Sequence, residues 1–96
     1  MNIYQKAIEV FGEDSQLEKL LEELGELTQA VQKYKQTKNE ETLEHLREEI
    51  ADAYNMIVQV TLMFDENEIQ RIRQAKLKRL KKIIDQMEER KIDDKY

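Results

Sequence analysis

Apolar residues recur three and four positions apart along almost the whole chain, which is the period of a helix with one buried face. The pattern predicts four helices: one from about Asn2 to Phe11, a second that starts after Asp14 or Ser15, a third after residues 37–39, and a last one that follows residues 65–67 and ends at about Lys91. Gly12 lies where a helix C-terminal glycine is usual. The other two breaks have the composition of turns.

Each of the three longer helices carries an apolar stripe wide enough to face a core. The stripes are Leu17, Leu20, Leu21, Leu24, Leu27, Val31 and Tyr34, then Leu43, Leu46, Ile50, Ala53, Tyr54, Ile57 and Thr61, then Ile69, Ile72, Leu80, Ile83, Ile84 and Met87. With no proline and two glycines, little interrupts these helices, and a sheet would require more turn residues. The expected fold is all-α, a four-helix-bundle type, as a single domain over residues 1–96.

Composition removes several broad classes of protein. Charged residues make up 39% and apolar residues 40% of the chain, unlike a disordered polyelectrolyte or a membrane span. The longest uncharged run, residues 53–64, is shorter than the roughly 20 apolar residues that cross a bilayer, so no membrane partner is expected. The absence of cysteine excludes disulfides and thiol chemistry. No signal peptide is visible after Met1, and a cytoplasmic location is expected.

The charge of the chain changes sign along its length. Residues 1–64 hold 6 basic and 13 acidic side chains, whereas residues 65–96 hold 10 basic and 8 acidic ones. Seven basic residues lie between Arg71 and Lys82 with no acidic residue among them. Such a run is usually a solvated helix face, and the acidic remainder repels phosphate backbones. No nucleic-acid polymer is therefore expected as a partner.

Two acidic motifs stand out, Glu23-Leu24-Gly25-Glu26 and Glu49-Ile50-Ala51-Asp52. Each places two carboxylates three residues apart, where helical side chains are neighbours. If the second and third helices form an antiparallel hairpin, facing positions share a nearly constant sum of residue numbers. Glu26 with Glu49 and Glu23 with Asp52 both give 75. The two pairs are therefore expected at one height, roughly 15–20 Å from the turn and beside the apolar stripes.

Four carboxylates that converge at the edge of a core repel one another, and their burial without partners is costly. A hard divalent cation such as Mg²⁺ resolves this conflict, because it prefers oxygen ligands and often bridges carboxylates to phosphates. The simpler interpretation is that these are surface acids in a chain that has 21 of them. A di-iron centre is not expected, since it requires two Glu-x-x-His motifs and the single histidine, His45, follows Thr42 by three residues.

Two further residues depart from the helical pattern. Lys76 lies in the middle of the last apolar stripe. Either its stem packs and its ammonium reaches water, or it points towards an anionic pocket, where it would neutralise carboxylates or a bound phosphate. Gly25, inside the first acidic motif, costs up to about 1 kcal/mol relative to alanine in mid-helix. A close approach of a helix or ligand would explain this glycine, and so would chance.

Together, Glu22-Glu23-x-x-Glu26 and Glu48-Glu49-x-x-Asp52 resemble the signature of the MazG-like, all-α nucleoside triphosphate pyrophosphohydrolases. Dimeric dUTPases and dCTP pyrophosphatases belong to the same superfamily. The resemblance covers about residues 15–85. It implies a MazG-like fold in which a helix hairpin carries an acidic metal site. It also implies hydrolysis of a (deoxy)nucleoside triphosphate to the monophosphate and pyrophosphate, by water attack at the α-phosphorus, with Mg²⁺ or Mn²⁺.

The resemblance also assigns roles to particular residues. Glu23, Glu26, Glu49 and Asp52 would be the metal ligands, and one of these acids, with help from Glu22, would orient or deprotonate the attacking water. A metal lowers the pKa of a bound water and screens the charge of the leaving pyrophosphate.

Substrate contacts are expected from two places. Lys76 and Arg79 match basic positions on the C-terminal helix of similar proteins, although this match is looser than the acidic one. Gln16 and Lys19 share a side of the second helix with the acids and are candidates for lining a pocket. The chain departs from the family in having no tryptophan, so base stacking would be left to Tyr4, Phe11, Tyr34, Tyr54 or Phe64.

The resemblance further implies a homodimer or homotetramer whose subunits complete each other's pockets. A chain of 96 residues buries only about two-thirds of its unfolded surface, which is compatible with assembly. Two alternatives remain open. The chain is a non-catalytic helical interaction or self-association module, or it is a degenerate relative that binds nucleotide or metal without turnover.

Overall fold

The structure is a computed structural model that describes residues 2–93, with side chains through residue 91. It contains four helices in the described range, α1 (Ile3–Phe11), α2 (Glu13–Thr37), α3 (Glu40–Thr61) and α4 (Glu66–Asp93), and no strand there. The predicted all-α class with four helices is therefore confirmed. None of these helices is apolar over a stretch long enough to cross a bilayer. The helices fall into two compact units, residues 2–64 with α1 to α3 and residues 65–93 with α4, and each unit is described by itself.

The first helix boundary depends on Gly12. Its φ of 86° lies in the region that favours glycine, and its N–H donates to the carbonyl oxygen of Ile8 at 2.9 Å. Because Gly12 alone separates the two helices, α2 begins immediately afterwards at Glu13. The prediction of a start after Asp14 or Ser15 was therefore wrong, and α2 has no side-chain cap.

The hairpin between α2 and α3 closes where the sequence predicted it. Lys38 adopts the left-handed conformation, with φ 47°, and Asn39 caps α3 through a capping box with Thr42. At the start of α4, Asp65 accepts a hydrogen bond from the Glu68 N–H at 3.2 Å. Asp65, the first residue of the predicted break 65–67, is therefore the residue whose side chain caps α4.

Helices α2 and α3 pack along a seam whose positions alternate four and three residues apart. This repeat, 3.5 residues on average, is the one that keeps two helices in contact over many turns. The buried or half-buried seam residues are Gln16, Leu20, Glu23, Leu27, Ala30 and Tyr34 on α2 and Thr42, Leu46, Glu49, Ala53, Met56 and Val60 on α3. Gln59 donates to Gln16 across the seam. The residue numbers of Gln16 and Gln59 add to 75, so the predicted antiparallel register is confirmed.

The predicted apolar stripes are only partly the buried face. Gln16, Glu23 and Glu49 occupy seam positions, and several predicted stripe residues lie beside the seam and are exposed. We call these residues the apolar row: Leu17, Leu21, Leu24 and Val31 on α2, and Ile50, Tyr54 and Ile57 on α3. The exposed fraction reaches 71% for Leu21 and 67% for Tyr54. A stripe chosen by apolarity alone is wider than a 3.5-residue seam, which explains the difference.

Candidate functional site

Three carboxylates meet between α2 and α3. Glu23, Glu49 and Asp52 can each present an oxygen such that the three atoms lie within 4.8 Å of one another. We use the name acidic cluster for these three residues together with Glu26. The confirmed register explains the meeting, because it places the two acidic motifs at the same height on facing helices.

Two of these acids lie inside the seam. The sequence had predicted a place beside the apolar stripes instead. Glu23 is 6% exposed and Glu49 is 9% exposed. The Oε2 atom of each is buried and has no hydrogen-bond partner among the described residues. A buried carboxylate oxygen without a partner carries a large desolvation cost. The described part of the chain therefore supplies no partner for these two buried oxygens.

Glu26 lies at the exposed edge of the acidic cluster. The negative charge of Glu23 raises the pKa of Glu26 above its ordinary value of 4.5, and burial and the charge of Glu49 act in the same direction. The charge of Glu22 contributes as well. Glu26 therefore responds electrostatically to carboxylates on both helices, as expected of a fourth member of one anionic site.

Lys19 is the cation closest to the cluster in the first unit. Its Nζ lies 3.2 Å from Glu23 Oε1 and 3.6 Å from Glu22 Oε2. The hydrogen bond with Glu23, and then the charge of Glu22, raise the pKa of Lys19 above 10.5. Glu22 is exposed, and Lys19 connects it to the cluster because the ammonium contacts both Glu22 and Glu23. The lysine neutralises one oxygen of Glu23 and leaves the other without a partner.

His45 is exposed and lies one helical turn before Glu49. Its Nε2 is 3.9 Å from Glu49 Oε1, and its Nδ1 is 3.9 Å from Glu48 Oε2. Both distances exceed a hydrogen bond. His45 therefore adds no ligand to the three-oxygen group.

The donor set of the acidic cluster suits a hard divalent cation. All of its donors are carboxylate oxygens, which Mg²⁺ and Mn²⁺ accept and which softer metals do not favour. The two buried oxygens without partners are the observation that supports the fit. Glu23, Glu49 and Asp52 would hold such an ion directly, with Glu26 beside them.

A groove of about 370 Å³ lies next to the acidic cluster, within the first unit. Its apolar lining comes from Ala7 and Phe11 of α1 and Met56 of α3, and its polar lining includes Gln16, Lys19 and Gln59. We call it the amide groove, because Gln59 donates to Gln16 at its lining. The predicted pocket residues Gln16 and Lys19 both line it.

Sequence reasoning missed Met56 and Gln59. The signal was available, since Met56 with Lys19 and Gln59 with Gln16 share the sum 75 that aligned the acids. Gly25 has nothing within 4 Å of the position that a Cβ would occupy, so no close approach within the described chain explains it. Lys76 and Arg79 are exposed on α4, in the second unit. Their predicted contact with substrate stays a prediction.

Comparison with protein-family models, with curated proteins and with solved structures finds no match to this chain. The MazG-like resemblance therefore depends on the two acidic motifs alone. What the chain does has to be inferred from the acidic cluster and from the groove beside it.

Proposed function

We propose that the protein is a metal-dependent nucleotide pyrophosphohydrolase, which converts a (deoxy)nucleoside triphosphate to the monophosphate and pyrophosphate in the cytoplasm. The observation that supports this proposal is the acidic cluster, with buried oxygens of Glu23 and Glu49 that have no partner. Such oxygens in a hydrophobic seam reduce the stability of a metal-free hairpin. Their presence is explained if the site has to hold Mg²⁺ or Mn²⁺ together with a phosphate.

In this proposal the residues divide the work by position. Glu23, Glu49 and Asp52 would hold the cation directly, and an exposed acid at the edge of the cluster, Glu26 or Glu22, would orient the attacking water. The bound cation supplies an acidified water and charge screening of the phosphates. Lys19 binds a substrate phosphate when a cation replaces it at Glu23, because its stem already spans from the groove to the cluster.

Lys76 and Arg79 are proposed as further phosphate contacts on the basis of the resemblance. They belong to the run of seven basic residues in α4. Exposed cations of this kind attract a triphosphate at long range, and the effect weakens as salt increases.

The test is pyrophosphate release from a panel of standard and modified triphosphates, with Mg²⁺ or Mn²⁺. Wild type is expected to turn over at least one substrate, and EDTA is expected to abolish turnover. Glu26→Gln and Asp52→Asn should each lose activity by about a hundredfold or more. Glu18→Gln, an exposed acid on the same helix as Glu26, is the matched control and should retain it. No release from any substrate, or equal activity in all variants, would refute the proposal.

The apolar row favours a second candidate, a self-association module. It lies on one side of an antiparallel hairpin, so two copies can pack these faces together about a twofold axis. We propose that the enzyme is a homodimer or homotetramer, and that a non-catalytic module would use the same row. Light scattering of the full chain at micromolar concentration should give a multiple of 11.6 kDa. Leu21→Lys should reduce the assembly to monomers, and a monomeric wild type would refute self-association.

A further inference from the structure

The amide groove is lined by two glutamine side chains that are hydrogen-bonded to each other. Gln16 is only 4% exposed, and its carbonyl oxygen accepts a hydrogen bond from the Nε2 of Gln59. Each amide carries one acceptor oxygen and an NH₂ group. Their mutual bond leaves the NH₂ of Gln16 and the oxygen of Gln59 for other partners. Two neighbouring side chains at the groove thus offer one donor and one acceptor.

That donor and acceptor pair can change order at little cost. If both amides rotate by half a turn, Gln16 donates to Gln59, and the remaining groups become the oxygen of Gln16 and the NH₂ of Gln59. The bond between the two side chains is retained in either state. A single fixed amide beside a ligand has no such alternative. The pair therefore suits ligands whose edges present a donor and an acceptor in either order.

The apolar part of the groove suits a flat ligand. Phe11 is 64% exposed and lines the groove together with Met56 and Ala7. Aromatic faces stack on heterocyclic rings with little regard to the order of their polar edges. Aromatic stacking together with hydrogen bonds to the polar edge is how proteins commonly hold an unpaired nucleobase.

The spacing along the helices connects the groove to the acidic cluster. Gln16 precedes Glu23 by seven residues on α2, and Gln59 follows Asp52 by seven on α3. At 1.5 Å per residue each separation is about 10 Å along the helix axis. Lys19 lies between them, lining the groove and contacting Glu23. One nucleotide can therefore extend from the amide pair to the carboxylates.

Building on the function proposed above, we propose that the Gln16–Gln59 pair reads the hydrogen-bonding edge of the substrate's base and that its two orientations make the site tolerant of base identity. Keto bases such as uracil and amino bases such as cytosine present acceptor and donor groups in opposite order. Each matches one orientation of the pair. The substrate class is then nucleotides with any planar base that presents an adjacent donor and acceptor.

The test measures binding to the full chain by calorimetry in Mg²⁺, with nucleoside monophosphates that the proposed reaction does not hydrolyse, so that it does not depend on catalysis. The ligands are dUMP, dCMP and, as a control without a base, deoxyribose 5-phosphate. The two nucleotides should bind within about threefold of each other, and the sugar phosphate should bind at least about tenfold more weakly. Preference for one nucleotide by thirtyfold or more would overturn the tolerance, and equal binding of the sugar phosphate, or no binding at all, would overturn base reading.

Variants identify the residues responsible. Gln59→Leu should reduce the affinity for both nucleotides by about three- to tenfold, whereas Gln36→Leu, an exposed glutamine on α2, should change neither. Phe11→Leu alters an exposed side chain that the fold tolerates and should weaken both nucleotides by about tenfold. If Gln59→Leu and Phe11→Leu both bind as wild type does, the proposal is wrong.

The two proposals can fail separately. Nucleotide binding that depends on Gln59 but no pyrophosphate release from any triphosphate would refute the enzyme and leave the base site standing. Metal-dependent turnover in which Gln59→Leu leaves the KM of each triphosphate unchanged from its wild-type value would refute the base site and leave the enzyme standing.

Discussion

Replacing Glu23 by glutamine removes a charge from the buried part of the acidic cluster and leaves the shape of the side chain almost unchanged. Oxygens of Glu23, Glu49 and Asp52 can lie within 4.8 Å of one another. At an effective dielectric constant of about 20, two unit charges at that distance repel by about 3.5 kcal/mol. Solvent at exposed Asp52 and the loss of the Lys19 contact reduce the net gain, and we expect about 1 kcal/mol.

The prediction for metal-free protein follows from that number. In EDTA, Glu23→Gln should be more stable than wild type by about 1 kcal/mol, which raises the melting temperature of a domain of this size by about 4–8 °C. Thermal unfolding followed by circular dichroism measures this difference. The matched control is Glu18→Gln, which removes an exposed charge from the same helix and should leave the melting temperature near that of wild type.

Metal should reverse the order of the two proteins. At a Mg²⁺ concentration ten times its Kd, linkage adds about 1.4 kcal/mol to the stability of wild type. Glu23→Gln offers a neutral oxygen in place of a buried carboxylate and should gain far less. The reasoning is refuted if wild type shows no metal-dependent rise in melting temperature, or if Glu23→Gln is less stable in EDTA by 2 kcal/mol or more.

Three other predictions concern the glycines and the edge of the cluster. Gly12→Ala should destabilise the fold by about 1–3 kcal/mol in urea unfolding, because the φ of Gly12 is 86°. Gly25→Ala should stabilise the fold by about 0.5–1 kcal/mol, because a Cβ at this mid-helix position would meet nothing within 4 Å. Similar effects of the two substitutions would contradict this account. The raised folded pKa of Glu26 means that its contribution to metal-free stability is present below pH 4.5 and is lost as the pH rises through the folded pKa. Glu26→Gln should remove that part of the pH slope, and Glu23→Gln should lower the pKa of Glu26 in an NMR titration; an unmoved pKa would exclude Glu23 as its main cause. Lys19→Met should tighten Mg²⁺ binding without nucleotide by about two- to fivefold in calorimetry, since it removes a competing cation from Glu23, and a weaker affinity would show that Lys19 supports the metal site.

The features predictable from the sequence were those set by local rules. Helical periodicity gave four helices, Gly12 gave a boundary, and residues 37–39 gave the turn. Once the turn was known, counting outwards from it aligned Glu23 with Asp52, because an antiparallel hairpin has one register. The acids could therefore be brought together without any knowledge of tertiary contacts.

The sequence did not show which face of each helix would be buried. Apolarity pointed to the leucines, yet Gln16, Glu23 and Glu49 occupy the seam and Leu21 is exposed. Burial is decided by the interhelical repeat of 3.5 residues and by what each position faces, and neither is visible from the composition of one helix. Gln16 and Lys19 were predicted as pocket residues, but the part of the amide groove that α1 lines was missed for a similar reason, because it requires α1 to lie beside α2 and α3.

Residues 23 and 49 lie in the seam between α2 and α3, where packing favours apolar side chains and the proposed metal site requires carboxylates. A leucine at residue 23 or 49 would hold the hairpin together more tightly than a glutamate does, so under the proposed function a mutation that stabilises the protein here also inactivates it. Thermal stability and the proposed metal site therefore require different residues at these two positions. A laboratory selection for heat resistance alone is expected to erase these glutamates first, and a selection that also demands the chemistry must find its gains elsewhere.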